Sequence, residues 1–295
     1  MQESLQVTPD SPDPPAGPSS TVPLVSVVVA CLNAAKTARQ TLESVVNQKG
    51  SHAELIVIDG GSTDGTLDIL EEFKGHFAYW TSSRDGGVYP AWNKALDHTR
   101  GEWIYFLGAD DVLRADTVLT EIAPVLQSSL GTASVVYGRV AVLDEDGAEV
   151  AVAGRPWAEV SESFFGGRNL YHQGVFHHRS IFESRKFDTS FRLLGDYELL
   201  LNTLSKCPPV FAGDLVIAGY RAGGLSNRPQ LMLTSFRETD LALRKHGYPR
   251  GAAEILGHFI RTLGWLALLS GANVVSTKLR KRLSRTLVQR ASRDS

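Results

Sequence analysis

The chain has 295 residues, of which 43% are hydrophobic and 21% are charged, and its formal net charge is -2. This composition is ordinary for a globular protein with a full core, and the small net charge excludes the strong positive field of a general nucleic-acid binder. Two cysteines, Cys31 and Cys207, are too few for a disulfide framework. We therefore expect a cytoplasmic protein without a nucleic-acid partner.

The two ends of the chain differ in character. Residues 1–23 are rich in Pro and Ser, lack the basic start and apolar block of a signal peptide, and are predicted to be a disordered tail. Residues 229–295 are predicted to be a helical region with a basic tail. Its segment 255–293 either contacts an anionic membrane, at the inner face of the plasma membrane, or packs on the domain with the tail in water.

Apolar strands alternate with helical segments along the first part of the chain. The run Val25–Cys31 is β-branched and continuous, which is typical of a strand buried on both faces. Further strands are predicted at 54–58, 77–81 and 103–107, and helices at 37–48, 66–73 and 90–99. This alternation predicts an α/β protein with a Rossmann-like doubly wound sheet.

The pattern is looser after about residue 116. It predicts strands at 133–142 and 210–218, a hairpin turn at 144–147, and helices at 196–204 and 231–245. We divide residues 24–228 into a nucleotide-binding half, 24–115, and an acceptor half, 116–228, and expect the two to share one sheet.

Acidic residues follow two of the predicted strands. Asp59 ends the second strand, and Asp110 and Asp111 follow the fourth. Ligands of open α/β sheets bind outside the carboxyl ends of the strands, where a carboxylate pair can hold a divalent cation against a phosphate. The alternative is that Asp110 caps the next helix and Asp111 is solvated. Asp64 is predicted to cap the helix that starts near Gly65.

Five segments carry a resemblance to a known family: VSVVVACLNA, ELIVIDGGSTDGT, DGGVYPAWNKAL, GEWIYFLGADD and GDYELLL. Taken in order over residues 24–228, they resemble the family 2 glycosyltransferases of bacterial polysaccharide and glycolipid biosynthesis. The resemblance implies the GT-A fold with a mixed sheet, a nucleoside-diphosphate sugar donor, a divalent metal (Mn or Mg), and inversion at the anomeric carbon.

The resemblance also implies roles for individual residues. Asp59 would contact the base, Asp196 would be the general base, and Asp110 and Asp111 would hold ribose, metal and diphosphate. Gly108 stands where the family has the first acid of its D-x-D motif, so we expect Asp111 to carry most of the metal. Glu198 is the second choice of base, and a helix N-cap is the alternative role for Asp196. Further donor contacts are predicted for Ala30, Leu32, Asn33, Asp85, Asn93, Lys94 and Arg221.

The remaining candidates concern the acceptor. His172 and Gln173 are predicted to bind sugar hydroxyls from a strand edge, and Trp157 to form part of the acceptor wall. The Gly223-Gly224 pair suits a lid over the donor. Asn93 is either a structural contact of its helix or a brace for the metal loop. The expected function is transfer of a sugar to a hydroxyl of a glycan or lipid-linked glycan; the alternative is a non-catalytic nucleotide-sugar or glycan-binding domain on the same fold.

Overall fold

The fold is a mixed α/β sheet covered by helices on both faces, seen in a computed structural model that describes residues 22–144, 146–221 and 231–251. Its strands are β1 (Val25–Cys31), β2 (Ala53–Asp59), β3 (Tyr79–Ser82), β4 (Trp103–Gly108), β5 (Val112–Leu113), β6 (Val135–Leu143), β7 (Glu149–Ala153), β8 (Val175–His178) and β9 (Val210–Arg221). Its helices are α1 (Ala38–Val46), α2 (Thr66–Phe73), α3 (Val88–Leu96), α4 (Val118–Ser128), α5 (Trp157–Phe165), α6 (Ser180–Ser184), α7 (Gly195–Leu204) and α8 (Met232–Lys245).

One sheet runs through both predicted halves. Its strand order is β3-β2-β1-β4-β8-β6-β9-β5, with β7 paired to β6. The strands β3, β2, β1 and β4 are parallel, β8 is antiparallel to both β4 and β6, and β6 is parallel to β9. The GT-A arrangement of a mixed sheet is therefore confirmed, and the β4–β8 pairing joins the two halves.

Alternating side chains of the strands build two cores. On one face, Val28, Ile56 and Phe106 pack with residues of α3, α7 and α8. On the other face, Val29, Val57 and Leu107 pack with α1, α2 and α4, and Cys31 is buried there as predicted. Because both faces of the central strands are covered, their sequences are apolar without alternation.

The predicted elements of the first half agree closely with the structure. The helix α2 has the predicted bounds, and the strands differ by one or two residues. The hairpin turn joins β6 and β7 as expected, with the Asp144 N–H donating to the Ala148 carbonyl at 2.9 Å. The sequence analysis gave no bounds for α4, α5, α6, β5, β7 or β8, and the strand edge that it expected at His172 and Gln173 is a 3-10 turn before β8.

Several predictions fall outside the described residues: the N-terminal tail up to residue 21, the lid segment at 222–226 and the membrane segment 255–293. Within 22–144, 146–221 and 231–251, no helix is both long enough and apolar enough to cross a bilayer. The helix predicted at 231–245 is confirmed as α8.

Candidate active site

The carboxyl ends of β1, β2 and β4 lie side by side. Cys31 is in register with Asp59, and Ala30 with Gly108. The residues that follow these strands therefore meet at one edge of the sheet, where nucleotide ligands of α/β proteins bind.

Asp59 is fully buried, and its carboxylate is used within the protein. Its Oδ2 accepts the N–H groups of Gly61 and Ser62, both at 2.9 Å, and the hydroxyl of Ser82 at 2.7 Å. Its Oδ1 accepts the hydroxyl of Ser62. Asp59 is 0% exposed and accepts four protein donors, so its carboxylate stabilises the turn after β2. This position differs from the predicted contact with the base.

Asp85 lies over the same turn and is half-buried. Its Oδ1 accepts the N–H of Gly87 at 2.9 Å. A Cβ atom at Gly60 would lie 3.0 Å from Asp85 Oδ2, so the glycine makes room for this carboxylate. The turn after β2 thus combines a buried supporting acid with a second acid that reaches its surface.

Asp111 is also buried, with 2% of its surface exposed. Its Oδ2 accepts the Gln173 amide N–H at 2.9 Å, and its Oδ1 the Arg221 backbone N–H at 3.2 Å. Burial, followed by the charge of Asp110, raises the pKa of Asp111 well above its usual range. Each oxygen thus has one protein donor, and Asp111 is buried rather than solvated, so the solvated alternative is wrong; its role as a metal ligand stays a prediction.

Asp110 is half-buried, and its carboxylate accepts no hydrogen bond from the described residues. A Cβ atom at Gly108 would lie 2.8 Å from Asp110 Oδ1 and 2.7 Å from Asp111 Oδ2. The two acids therefore occupy the space that a side chain at position 108 would fill. The helix-cap alternative for Asp110 fails, because the next helix, α4, begins at Val118.

His172 lies near both Asp110 and Asp196. It forms part of a 3-10 turn, His172–Gly174, before β8, and its ring contacts Trp92 with centroids 5.8 Å apart. Burial lowers the pKa of His172, although the charges of Asp196 and Asp110 act in the opposite direction. A neutral imidazole thus lies near both acids, while the amide of its neighbour Gln173 braces Asp111.

Asp196 lies in the first turn of α7 and is 7% exposed. The Tyr89 hydroxyl is 2.9 Å from Asp196 Oδ1, and the Asn169 amide donates to Oδ2 at 2.7 Å. The N-cap position of α7 is Leu194, so capping does not account for Asp196. A Cβ atom at Gly195 would lie 2.9 Å from Tyr89 Cε2, so this glycine lets the tyrosine ring approach.

Glu198, the second choice of base, has a structural position. It is fully buried and forms ion pairs with Arg185 at 2.5 Å, His246 at 2.7 Å and Lys245 at 2.9 Å. Its carboxylate is held by two cationic side chains and a histidine ring, so it is not oriented to receive a substrate proton.

The other predicted donor residues fall into two groups. Leu32 is 58% exposed and Asn33 has a positive φ of 50°, which presents the loop after β1 to solvent next to the half-buried Ala30. In contrast, both polar atoms of the Asn93 side chain bind the backbone of Phe187, which confirms the structural alternative for that residue.

Three further candidates make contacts at the borders of the site. Lys94 donates to the Ser83 hydroxyl at 2.9 Å, and the Arg221 guanidinium donates to the side chain of Gln40. Trp157 is half-buried, and its ring packs edge-on against Phe164 at 5.3 Å. Asp64 accepts the N–H and hydroxyl of Thr66, the first residue of α2, although the N-cap position of that helix is Gly65.

A pocket opens beside Asn169, next to Asp196. It is lined mainly by aromatic, arginine and glycine residues, among them Tyr137, Arg155, Phe164, Arg168, Asn169 and Tyr171. Trp157 lies behind this wall through its contact with Phe164.

Two site residues were missed by sequence reasoning, Tyr89 and Asn169. Tyr89 stands in the segment DGGVYPAWNKAL, so its place beside a Gly-Gly turn at a helix start was a usable signal. Asn169 follows a loop without any distinctive pattern, and its contact spans 27 residues.

The carboxylates at β4 suit a hard divalent cation. Within the described ranges, no group of three or more His, Cys, Asp or Glu residues is arranged around one point. Mg²⁺ commonly takes one or two carboxylates and completes its shell with water and substrate phosphates, so a site built on Asp110 fits its chemistry.

Comparisons with known proteins identify the family of this chain. The family model "Glycosyl transferase family 2" matches residues 26–192, more than half of the chain. The chain belongs to glycosyl transferase family 2. It is accordingly a glycosyltransferase.

Named relatives of this glycosyltransferase come from bacteria. It is 31% identical over 214 residues to the PGL/p-HBAD biosynthesis glycosyltransferase of Mycobacterium tuberculosis, covering 70% of this chain and 80% of the relative. It is 32% identical over 124 residues to a putative teichuronic acid biosynthesis glycosyltransferase of Bacillus subtilis, covering 40% and 48%.

Solved structures share the fold. Staphylococcus aureus TarS 1–349 in complex with UDP-GlcNAc has a TM-score of 0.59 at 16% identity, covering 87% of this glycosyltransferase and 77% of TarS. The mannosyltransferase PcManGT from Pyrobaculum calidifontis, in complex with GDP-Man and Mn²⁺, has a TM-score of 0.57 at 16% identity, covering 92% and 81%. Identities this low support the fold alone.

Proposed function

We propose that this glycosyltransferase moves a sugar from a nucleoside-diphosphate sugar to a hydroxyl of a glycan or lipid-linked glycan, with inversion at the anomeric carbon and a divalent metal. The observation that supports this most is that two carboxylates, the buried Asp196 and the half-buried Asp110, both lie near the ring of His172. Of two separated carboxylates, one can act at the leaving diphosphate and the other can accept the proton of the attacking hydroxyl.

The donor would bind at the carboxyl ends of β1, β2 and β4. Asp85 is the carboxylate we assign to the donor base and ribose, since its Oδ2 reaches the surface of the turn that Asp59 supports. Leu32 offers an exposed apolar surface after the neighbouring strand β1. The donors named for solved relatives, UDP-GlcNAc and GDP-Man, make a nucleoside diphosphate the expected chemical class.

Asp110 would hold the metal. Its neighbour Asp111 is held in place by the Gln173 amide. A divalent cation there would neutralise the charge that develops on the leaving diphosphate. The Gly108 backbone lets Asp110 fold back against β4, and no side chain at 108 could share this space.

Asp196 would take the proton of the acceptor hydroxyl. Its two oxygens are oriented by Tyr89 and Asn169, and each carboxylate oxygen has a second lone pair for the substrate proton. The aromatic pocket beside Asn169 is the expected acceptor entrance, because apolar ring faces and polar rims suit sugars. The relatives' roles in PGL/p-HBAD and teichuronic acid biosynthesis support a glycan or glycolipid acceptor.

A donor screen tests the proposal. UDP-, GDP- and dTDP-sugars are offered with Mn²⁺ or Mg²⁺, and release of nucleoside diphosphate is followed; one of them should be turned over, and proton NMR of the first product should show the anomeric configuration inverted. Binding without any release of nucleoside diphosphate would favour the non-catalytic alternative. Asp196→Asn should lower the transfer rate by about a thousandfold while leaving donor affinity unchanged, and an unchanged rate would remove Asp196 from its role.

A further inference from the structure

The helix α8 contributes one buried carboxylate to the segment before α7. Glu238 is 8% exposed. Its Oε1 accepts the N–H of Arg192 at 2.8 Å, and its Oε2 accepts those of Leu193 at 2.8 Å and Leu194 at 2.9 Å. Three consecutive backbone donors on a single carboxylate fix the path of this segment, because each would otherwise be an unpaired group near the core.

The same segment is held from the opposite side. The carbonyl oxygen of Leu193 lies 2.7 Å from the Tyr89 hydroxyl, which is also the partner of Asp196. The Leu194 carbonyl accepts the Glu198 N–H at 2.9 Å, which closes the first turn of α7. Glu238 and Tyr89 therefore both contact the backbone of residues 192–194, and Asp196 follows this segment by two residues.

A second contact ties the two helices together. Lys245 and His246, at the C-terminal end of α8, form ion pairs with the buried Glu198 of α7. The helix α8 lies beyond residues 26–192, which the family model covers, and beyond residue 228, where the sequence placed the end of the transferase domain.

We propose that Glu238 is a positioning residue of the transfer reaction, which acts through Asp196 by fixing the backbone of residues 192–194. The helix α8 then contributes to the active site by fixing the position of Asp196. This inference rests on the proposed role of Asp196 as the general base.

The chemistry of the Glu238→Gln substitution makes the effect specific. The side chain keeps its size, but its amide nitrogen must face at least one backbone N–H donor, so the segment has to move. A displacement of the order of 1 Å at a catalytic group can cost about a hundredfold in rate. We expect kcat to fall about ten- to a hundredfold, with KM for the donor and Kd for the nucleoside diphosphate within about twofold, since no donor contact is altered.

Ala242→Gly is the matched control. Ala242 is a fully buried residue of α8 that lies one turn beyond Glu238, and the substitution weakens the helix without touching residues 192–194. Its loss of stability is about 1 kcal/mol from helix propensity alone. Measured well below both melting temperatures, it should retain kcat. Glu238→Asp, which keeps the charge on a shorter arm, provides a second variant and should give a loss in the same direction.

The decisive measurement is a double-mutant cycle on kcat with Asp196→Asn, at enzyme concentrations that allow its residual rate to be followed. If Glu238 acts through Asp196, adding Glu238→Gln to Asp196→Asn should cost less than threefold, whereas in the wild-type background it costs about tenfold or more. A double-mutant loss equal to the product of the single losses, or a kcat in Glu238→Gln no lower than in Ala242→Gly, would overturn the inference and leave the proposed function standing. Full activity in Asp196→Asn would overturn both.

Discussion

The loops at the ends of β2 and β4 are built alike, each with one buried acid and one half-buried acid. At each, one acid is buried and accepts protein donors: Asp59 after β2 and Asp111 after β4. At each, a second acid, Asp85 or Asp110, comes within 3.0 Å of where a glycine Cβ would stand. In the function proposed above, Asp85 and Asp110 meet the donor and the metal, whereas Asp59 and Asp111 are held by protein donors.

The two ends differ in what supports them. Asp59 is held by donors from its own turn and from β3, all within 23 residues. Asp111 is held by Gln173 and Arg221, which are 62 and 110 residues away. The turn after β2 is therefore built from nearby residues, whereas the loop after β4 depends on residues 173 and 221 of the second half being in place.

The largest expected effect is on the local support. Asp59→Ala leaves two backbone N–H groups and two hydroxyls without their acceptor, and should lower the free energy of unfolding by about 3–5 kcal/mol. Urea denaturation measures this. Ser82→Ala, which removes one of the four donors, should cost about 1 kcal/mol. If Asp59→Ala instead weakened nucleotide binding at unchanged stability, the comparison of the two ends would break.

Next comes the ligand-facing acid of β4. Asp110→Asn should lower the transfer rate by about a hundred- to a thousandfold, because a charge near the leaving diphosphate is lost, while stability stays within about 0.5 kcal/mol. Metal affinity, read by calorimetry with Mn²⁺ and nucleoside diphosphate, should fall in parallel. Asp116→Asn, a change at an acid paired with Lys49 outside the site, is the control. A larger loss of metal affinity in Asp111→Asn than in Asp110→Asn would reverse the assignment at this end.

A titration unrelated to either end must be separated from these measurements. Burial lowers the pKa of His177 to about 3, against an ordinary value of 6.5. Its folded pKa lies below the unfolded value, so the native state binds fewer protons and the stability that depends on neutral His177 is present above pH 6.5 and lost as the pH falls towards 3. The loss at pH 5 amounts to about 2 kcal/mol.

His177→Phe should therefore flatten the decline in stability between pH 7 and pH 5, as followed by denaturation at several pH values. The ring packs between Phe106 and Phe182, so an aromatic replacement keeps the contacts. His76→Gln, a change at an exposed histidine, should leave the slope as it is. An unaltered slope in His177→Phe would assign the acid sensitivity to the carboxylates instead.

The smallest effect is expected at the ligand-facing acid of β2. Asp85→Ala should weaken nucleoside diphosphate binding about tenfold, the loss of one charge-assisted hydrogen bond, while the lost contact with the Gly87 N–H lowers the free energy of unfolding by about 1 kcal/mol or less. Gly60→Ala should act in the same direction, because its Cβ would displace the Asp85 carboxylate. Gly75→Ala, where the added atom meets nothing within 4 Å, is the control. Calorimetry with UDP, GDP and dTDP measures the change, and equal affinity in wild type and Asp85→Ala would leave the base without this contact.

The sequence was most informative where structure is set by continuous apolar runs. The strands β1, β2 and β4 and their following acids could be found because a strand buried on both faces needs an unbroken apolar segment. The second half was harder: β5 has two residues and β8 has four, too few to show a period, and Pro124 inside α4 argues against a helix although the apolar residues there have helical spacing. The orientation of individual acids could not be predicted, because which carboxylate is occupied depends on Ser82, Gln173 and Arg221, which the fold brings in from elsewhere.

The reversal of strand direction between β4 and β8 has a geometric consequence. In an antiparallel pair, the residues that precede one strand adjoin those that follow its neighbour. The turn His172–Gly174 therefore lies beside the loop after β4 with no crossover to bring it there. Had β8 run parallel, the turn would stand at the opposite edge of the sheet, about 20 Å away along the six residues of β4. A change of strand polarity is thus what lets a short peptide from the second half reach the loop after β4.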